Sequence, residues 1–167
     1  MQNILKIMPL LLLVVTTACS TPAPKREQVI GEWQVMVSGQ GTAKMLCYAG
    51  ASPLNSSGTL TKRDGRPYLM ATRRLSGKIE ISVSSGYTYM PASKVELAVD
   101  EDTYSLFHKG ANGWTHSDSD DAKIVESMKT ADTIEVRGVS AEGLTSIDTY
   151  PPHGFATAIA RIRELCP

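Results

Sequence analysis

The sequence predicts a mainly β domain, a sandwich or a barrel, with one short internal helix and a second helix at the C-terminus. Three observations predict this class. Apolar and polar residues alternate in many short segments, as they do in strands with one buried face. The segments follow one another at near-regular spacing, separated by turn-forming residues. Two stretches carry apolar residues at helical spacing instead.

The first predicted strand is the clearest, because Trp33, Val35 and Val37 alternate with polar residues after Gly31. Further strands are predicted at 43–48, 59–62, 67–72, 79–83, 95–99, 104–108, 134–136 and 144–150. Residues 52–57 are rich in Ser, Pro and Asn and are predicted to form a loop. Asp64-Gly65 is typical of a hairpin turn, so 59–62 and 67–72 are expected to pair with each other.

The two predicted helices differ in how they are marked. Ser119 is a candidate N-cap for a helix of about three turns, because two acids follow it and Ala122, Val125 and Met128 share a face. The second helix begins near Gly154. Its apolar residues recur at helical spacing: Phe155, Ala158, Ile159, Ile162 and Leu165. This helix is expected to pack on the sheet.

The first 18 residues have the layout of an export signal. Lys6 precedes an apolar run at 7–15, far shorter than the roughly 20 residues that cross a bilayer. Cys19 follows small residues, which predicts a lipoprotein signal whose cleavage leaves an acylated Cys19 as the new N-terminus. Thr16 and Ala18 also satisfy an ordinary signal-peptidase site, so a plain signal peptide stays open as the alternative.

A lipidated Cys19 would place the protein in the cell envelope. Ser20 after the lipid site favours the outer membrane of a Gram-negative bacterium, with the domain facing the periplasm. Without lipidation, the protein is expected to be free in the periplasm. Residues 19–28 are polar and contain two prolines, so they are predicted to form the lipidated N-terminus and a flexible tether. Residues 29–167 then form a single domain.

Composition and cysteine count bound the function further. The 17 basic residues balance 17 acidic ones, which excludes a dedicated nucleic-acid binder with a basic excess. Cys47 and Cys166 are expected to form a disulfide in an oxidising compartment, with two buried free thiols as the alternative. Neither has a Cys or His at metal-ligand spacing, so no metal and no cofactor is expected.

Short blocks of sequence run in order through nearly the whole predicted domain. They include Gly31-Glu32-Trp33, Cys47-Tyr48, Gly86-Tyr87, Ser93-Lys94-Val95, Leu106-Phe107, Val136-Arg137-Gly138, Asp148-Thr149-Tyr150, Gly154-Phe155 and Cys166-Pro167. In this order and spacing they resemble the invasion-associated locus B family of bacterial envelope proteins. The resemblance implies an immunoglobulin-like β-sandwich with flanking helices and no known enzymatic activity. It also places cysteines at positions 47 and 166. The family is named for members that promote bacterial entry into host cells, and many members lack a lipid cysteine such as Cys19.

A cluster of cations is the main candidate binding surface. Six cations fall within 17 residues, with Asp64 as the one acid between them: Lys62, Arg63, Arg66, Arg73, Arg74 and Lys78. Around a hairpin tip they would crowd one end of the sheet and contact lipid phosphates or an acidic partner. A solvated charged face is the alternative. Tyr87 and Tyr89 are predicted to form either an exposed contact loop or a strand end with one tyrosine buried.

Residues with catalytic potential form no recognisable motif. His108, His116 and His153 are too scattered for a zinc hydrolase. Ser140 lacks the spacing of a nucleophile elbow and is predicted to lie in a hairpin turn. Asp148 is expected to serve a local hydrogen bond.

The sequence therefore predicts a non-enzymatic, periplasm-facing lipoprotein that acts through contacts with an unidentified envelope or host protein. A small-ligand carrier with a cavity between sheet and helix is one alternative. An unrecognised hydrolase that gathers a carboxylate, a histidine and a serine in a cleft is the other.

Overall fold

The computed structural model describes residues 24–167. The predicted signal at 1–18 and the predicted lipid site at Cys19 lie outside the described residues. The strands are β1 (Lys25–Ile30), β2 (Trp33–Ser38), β3 (Leu46–Ala51), β4 (Asn55–Gly58), β5 (Tyr68–Arg73), β6 (Ile79–Ser84), β7 (Val95–Val99), β8 (Asp102–Lys109), β9 (Asn112–Trp114), β10 (Ile134–Val139) and β11 (Thr145–Tyr150). The helices are α1 (Asp118–Met128) and α2 (Phe155–Leu165).

The strands form two antiparallel sheets that share one strand. The first sheet has the order β1-β2-β3-β5-β6-β9, and the second has the order β7-β10-β11-β4. Strand β8 joins them, because residues 102–106 pair with β7 and residues 107–109 pair with β9. The predicted β-sandwich with an internal helix and a C-terminal helix on the sheet is confirmed.

One buried face of each sheet and both helices contribute to a continuous core. The first strand shows how its sequence pattern produces this packing: Trp33, Val35 and Val37 are buried and their polar neighbours are not. Helix α2 packs on β2 and β3, where the rings of Trp33 and Phe155 lie 4.9 Å apart. Helix α1 packs beside β6. Neither helix of the described chain is long and apolar enough to cross a membrane.

Gly154 fixes the start of α2. Its φ is 93°, in the left-handed region that favours glycine, and a Cβ there would come within 2.7 Å of the carbonyl oxygen of Ile30. The Trp33 indole nitrogen donates to the carbonyl oxygen of Pro151 at 3.1 Å, just before this turn. The predicted start of the C-terminal helix is therefore confirmed.

The N-terminal boundary lies earlier than predicted. Strand β1 occupies Lys25–Ile30, so it includes the last residues of the range assigned to a flexible tether at 19–28. The reason is backbone pairing, since Lys25 pairs with Val37 and Ile30 pairs with Trp33. The domain begins at β1 and not at residue 29.

The predicted hairpin at Asp64-Gly65 is wrong. Residues 59–62 form no strand, and the predicted loop at 52–57 instead contains β4, which pairs with β11 of the second sheet. The chain then crosses to the first sheet. The backbone N–H groups of Asp64 and Gly65 both donate to the carbonyl oxygen of Gly86, at 3.1 and 2.8 Å. We call residues 59–67 the crossing segment: its tip is held by the chain before Tyr87, and its first residues, Thr59 and Leu60, hydrogen-bond to Thr145 of β11.

Smaller shifts have local causes. The strand predicted at 43–48 is β3, displaced to Leu46–Ala51. Helix α1 begins two residues earlier than expected, because Ser117 and not Ser119 is its N-cap. The Ser117 hydroxyl accepts a hydrogen bond from the backbone N–H of Asp120 at 3.1 Å.

Candidate functional site

The disulfide between Cys47 and Cys166 is present and confirms the predicted pair. It joins β3 to the C-terminal end of α2, with the two Cα atoms 6.0 Å apart, a normal separation. Arg73 supports the same junction: its guanidinium donates to the carbonyl oxygens of Cys166 and Gly77. The last turn of α2 is thus attached to the sheet by a covalent bond and by an arginine.

The structure does not bring the six predicted cations together. Strand β5 separates them, with Lys62, Arg63 and Arg66 before it and Arg73, Arg74 and Lys78 at or beyond its end. Six residues of strand span roughly 20 Å. Four of the six are also engaged inside the chain: Arg63 with Asp148, Arg73 with two carbonyls, Arg74 with Glu80 and Lys78 with Asp118. The expected single patch at one end of the sheet is wrong.

Arg63 lies in the interior, against the aspartate of β11. Its Nη1 donates to Oδ2 of Asp148 at 2.7 Å and its Nη2 donates to Oδ1 at 2.6 Å. Nη1 also donates to the carbonyl oxygen of Ser85 at 2.7 Å, and the Ser56 hydroxyl donates to Asp148 at 2.6 Å. Burial acts to lower the pKa of Arg63, but the hydrogen bonds and charge of Asp148 outweigh it and the pKa is raised. Arg63 therefore keeps its charge beside Asp148.

The tyrosines of the Gly86–Met90 segment line the same region and are both buried. The Tyr87 hydroxyl hydrogen-bonds to the Ser146 hydroxyl at 2.7 Å, and Arg63 lies 5.5 Å from the centre of the Tyr87 ring. Burial raises the pKa of Tyr87 and of Tyr89 above the usual phenol value. The exposed contact loop predicted for these tyrosines is wrong. The alternative of an inward-facing strand end is closer, although both rings and not one are buried.

The catalytic candidates lie apart from one another. Asp148 is enclosed by Arg63 and Ser56, while His108 contacts the carbonyl oxygen of Ser93 at 3.2 Å. Ser140 lies in the β10–β11 turn, as predicted, and its hydroxyl accepts from the backbone N–H of Leu144 at 3.2 Å. No histidine of the described chain hydrogen-bonds to Asp148 or Ser140. Within residues 24–167, no group of three or more His, Cys, Asp or Glu side chains is placed to hold a metal ion.

An aromatic groove of about 430 Å³ lies where β8, β9 and the start of α1 meet. Phe107 is 47% exposed and stacks on Trp114, with ring centres 5.6 Å apart. His116 lies beside Phe107 at 5.7 Å, and the Arg74–Glu80 ion pair forms another wall. The sequence does not indicate this groove, because Phe107, Trp114 and His116 form no binding motif.

A second groove, of about 400 Å³, runs between α1 and the start of β6. Ile79, Ala122 and Val125 provide its apolar lining, and Lys78 and Arg163 provide charge. The groove is open to solvent. It is the part of the described chain that comes nearest to the cavity a carrier would need.

The fold and these sites define a class: a disulfide-bonded β-sandwich domain with helices packed on one sheet. Among solved structures, the crystal structure of invasion associated protein B from Bartonella henselae has this fold, with a TM-score of 0.61 and 15% sequence identity. The match covers 83% of this chain and 96% of that chain. The resemblance seen in the sequence is thereby confirmed at the level of the fold. No family model and no curated protein matches the sequence.

Proposed function

We propose that this protein is a non-enzymatic, lipid-anchored envelope protein that faces the periplasm and acts through contacts with other proteins. The distribution of its three cysteines carries the proposal. Cys47 and Cys166 are joined in the domain, as suits an oxidising compartment. Cys19 is the remaining cysteine, and it lies six residues before β1 in a sequence that fits a lipoprotein signal.

The lipid anchor is tested by mass and by location. Intact mass of the purified protein should show a diacylated or triacylated N-terminus at Cys19, and Cys19→Ser should release the protein from the membrane fraction. Ser20→Asp, with the anchor unchanged, should move the protein from the outer to the inner membrane. A Cys19→Ser protein that stays membrane-bound would contradict the anchor.

The contact surface in this proposal is the aromatic groove. Exposed aromatic side chains are enriched at protein interfaces, and Phe107, stacked on the partly buried Trp114, is the exposed large aromatic side chain of the described chain. A photoreactive residue at position 107 should form a defined adduct in intact cells. The same residue at Leu54, which is even more exposed, should not. Trp114→Ala should remove the adduct at 107, and an adduct that persists would argue against the groove.

A role in host-cell invasion is the finer part of the proposal. The name of the Bartonella henselae protein associates that protein with invasion, and the shared fold is what supports extending the role to this chain. Deletion of the gene should lower the number of internalised bacteria, and the wild-type gene should restore it. Restoration by a Phe107→Ser variant to the full level would separate invasion from the aromatic groove.

The carrier alternative has one observation in its favour, the groove lined by Ile79, Ala122 and Val125. Native mass spectrometry of protein purified from its own envelope tests it. A bound lipid-sized mass that Ala122→Glu abolishes would support a carrier, because Ala122 lines the groove and is exposed. An apo mass throughout would leave the groove without a ligand. The hydrolase alternative has no assembled constellation in its favour among residues 24–167.

A further inference from the structure

One end of the first sheet gathers the turns that lie nearest to the start of β1. The row of paired residues across that end is Lys25, Val37, Cys47, Arg73 and Ile79. The β2–β3 loop at 39–45 and the β5–β6 turn at 74–78 therefore leave the sheet on the side where β1 begins. We call Lys25 and these two connections the anchor-side end.

The segments that meet there carry cations and no acid. Residues 25–26, 38–46 and 73–79 together contain six Lys or Arg side chains and neither Asp nor Glu. The six are Lys25, Arg26, Lys44, Arg73, Arg74 and Lys78. Arg73 is committed to the carbonyl oxygens of Cys166 and Gly77. Arg26 lies in a groove with Gly50 and Arg66, towards the other end of the sheet, which leaves four cations for this surface.

Four carboxylates face this end: Glu126 of α1 lies in the same groove as Lys78 and pairs with Lys129, and three others pair with cations of the end itself. Glu27 pairs with Lys25 at 3.3 Å, Glu80 pairs with Arg74, and Asp118 pairs with Lys78. The cations of these pairs are at least half exposed, and exposed ion pairs contribute little. A phosphate can therefore compete for the same cations. Lys44 has no carboxylate within ion-pair distance in the described chain, and the four surface cations exceed by one the three acids that pair with them.

Leu75 stands at the tip of the β5–β6 turn. It is 67% exposed, the highest value among the large apolar side chains of residues 24–167. Two backbone hydrogen bonds close the turn. The N–H of Arg74 donates to the carbonyl oxygen of Lys78 at 2.8 Å, and the N–H of Gly77 donates to the carbonyl oxygen of Arg74 at 2.9 Å. A single exposed leucine is common on protein surfaces. An apolar tip between two cations is the composition of segments that lie in a membrane interface.

Sequence distance ties this end to the predicted anchor. Six peptide units separate Cys19 from Lys25, and a fully extended chain of that length reaches at most about 20 Å. The anchor-side end is therefore the part of the domain that a lipid at Cys19 would hold nearest to the bilayer. Charges that come within about 10 Å of an anionic surface are not screened away.

We propose that the anchor-side end rests on an anionic phospholipid surface, with Leu75 at the headgroup level and Lys44, Arg74 and Lys78 on lipid phosphates. The proposal deepens the proposed function and rests on its lipid anchor. It also orients the domain, because Gly31-Glu32 at the other end of β1 and β2 then points away from the membrane.

The orientation is tested with the full lipidated chain in vesicles of phosphatidylcholine, with or without phosphatidylglycerol. A fluorophore on Ser76→Cys should be quenched by a headgroup-level lipid quencher in the anionic vesicles, and high salt should reverse the quenching. The matched label on Glu32→Cys should not be quenched. Equal quenching of the two labels, or none at Ser76, would overturn the orientation.

The charge contribution is tested without the anchor. The full chain with Cys19→Ser should co-sediment with phosphatidylglycerol vesicles. Lys44→Ser/Lys78→Ser removes two cations and should lower the affinity for these vesicles about 25-fold, at about fivefold per cation. Lys62→Ser/Arg66→Ser removes the same charge beyond the other end of β5 and should leave it nearly unchanged. Equal losses in the two variants would reduce the effect to net charge alone. Intact mass distinguishes failure of the lipid anchor from failure of the membrane-contacting surface. An unacylated Cys19 would contradict the anchor, and the vesicle-binding experiment would still test whether the anchor-side end binds anionic lipid.

Discussion

Arg63 and Asp148 lie 85 residues apart and form a two-point ion pair in the protein interior, at 2.7 and 2.6 Å. The Asp148 side chain is 1% exposed and the Arg63 side chain 13%. The pair attaches the crossing segment of residues 59–67 to β11 of the second sheet. It therefore gives an otherwise strandless connection a fixed position between the two sheets.

Breaking this pair should be strongly destabilising. Asp148→Asn keeps the shape but leaves the Arg63 charge without a counter-ion, and the loss of one partner of a buried pair costs about 3–5 kcal/mol. Urea denaturation should show that decrease in the free energy of unfolding. Ser56→Ala is the matched control, since it removes one hydrogen bond to Asp148 and should cost only about 1–3 kcal/mol.

The double variant Arg63→Met/Asp148→Leu separates the pair from its surroundings. It removes both charges at similar volume, so it should be more stable than Asp148→Asn alone. If the double variant lost as much free energy of unfolding as Arg63→Met and Asp148→Leu together, Arg63 and Asp148 would contribute to stability independently.

The disulfide should account for much of the stability of the domain. It closes a loop over a sequence separation of 119 residues, for which chain-entropy arguments give about 4–5 kcal/mol. Cys47→Ala/Cys166→Ala should lower the free energy of unfolding by about that amount. Cys19→Ser should leave it unchanged, because Cys19 precedes β1. Equal denaturation midpoints for oxidised and reduced protein would refute the prediction.

Much of the fold was predictable because period-two alternation is a local signal. Strand β2 and helix α2 follow directly from Trp33-Val35-Val37 and from the apolar spacing after Gly154. Strand β4 has no such signal, because Asn55–Gly58 is polar and fully exposed at a sheet edge. The Asp64-Gly65 pair misled the prediction, since its N–H groups bond to Gly86, 21 or more residues away.

The Arg63–Asp148 pair escaped the sequence for a different reason. The sequence predicted a local hydrogen bond for Asp148, but the main partner is Arg63, 85 residues away. Asp148 lies with Ser146 and Tyr150 on the buried face of β11, where a carboxylate requires a cation or several donors. The sequence does not identify Arg63 as this partner, because only the tertiary structure selects one arginine among many. The separation of the six cations into two groups was predictable from the sequence, because a six-residue strand between the groups keeps them apart.

Gly138 should not tolerate a side chain. A Cβ there would come within 2.5 Å of the Tyr89 ring and 2.8 Å of the Tyr87 hydroxyl, and both tyrosines are buried. Gly138→Ala should therefore cost about 1–3 kcal/mol through overpacking. The matched control is Gly65→Ala. Gly65 has no positive φ, and a Cβ there would meet its nearest atom at 3.4 Å, an ordinary contact distance. Gly65→Ala should leave the thermal midpoint nearly unchanged. A neutral Gly138→Ala would show that the tyrosine pair can move.

Asp121 should make the free energy of unfolding depend on pH. Its carboxylate is buried in α1 and accepts from the backbone N–H of Ile81 and from the Thr115 hydroxyl, both at 2.8 Å. Burial raises the pKa of Asp121 above its ordinary value near 3.8, and these hydrogen bonds only partly offset the burial. A group with a raised pKa in the folded state favours folding when it is protonated. Its contribution is therefore complete below pH 3.8 and is lost as pH rises through the folded-state pKa.

Asp121→Asn removes this charge and keeps an oxygen that can accept both hydrogen bonds. At neutral pH this variant should be as stable as the wild type or more stable, and Asp121→Ala should lose about 1–3 kcal/mol by leaving the Ile81 N–H unpaired. Below pH 3.8 the advantage of Asp121→Asn over the wild type should disappear. Urea denaturation of the three proteins at several pH values measures this difference. If Asp121→Asn were instead less stable than the wild type at neutral pH, the ionised carboxylate would be favourable at the start of α1.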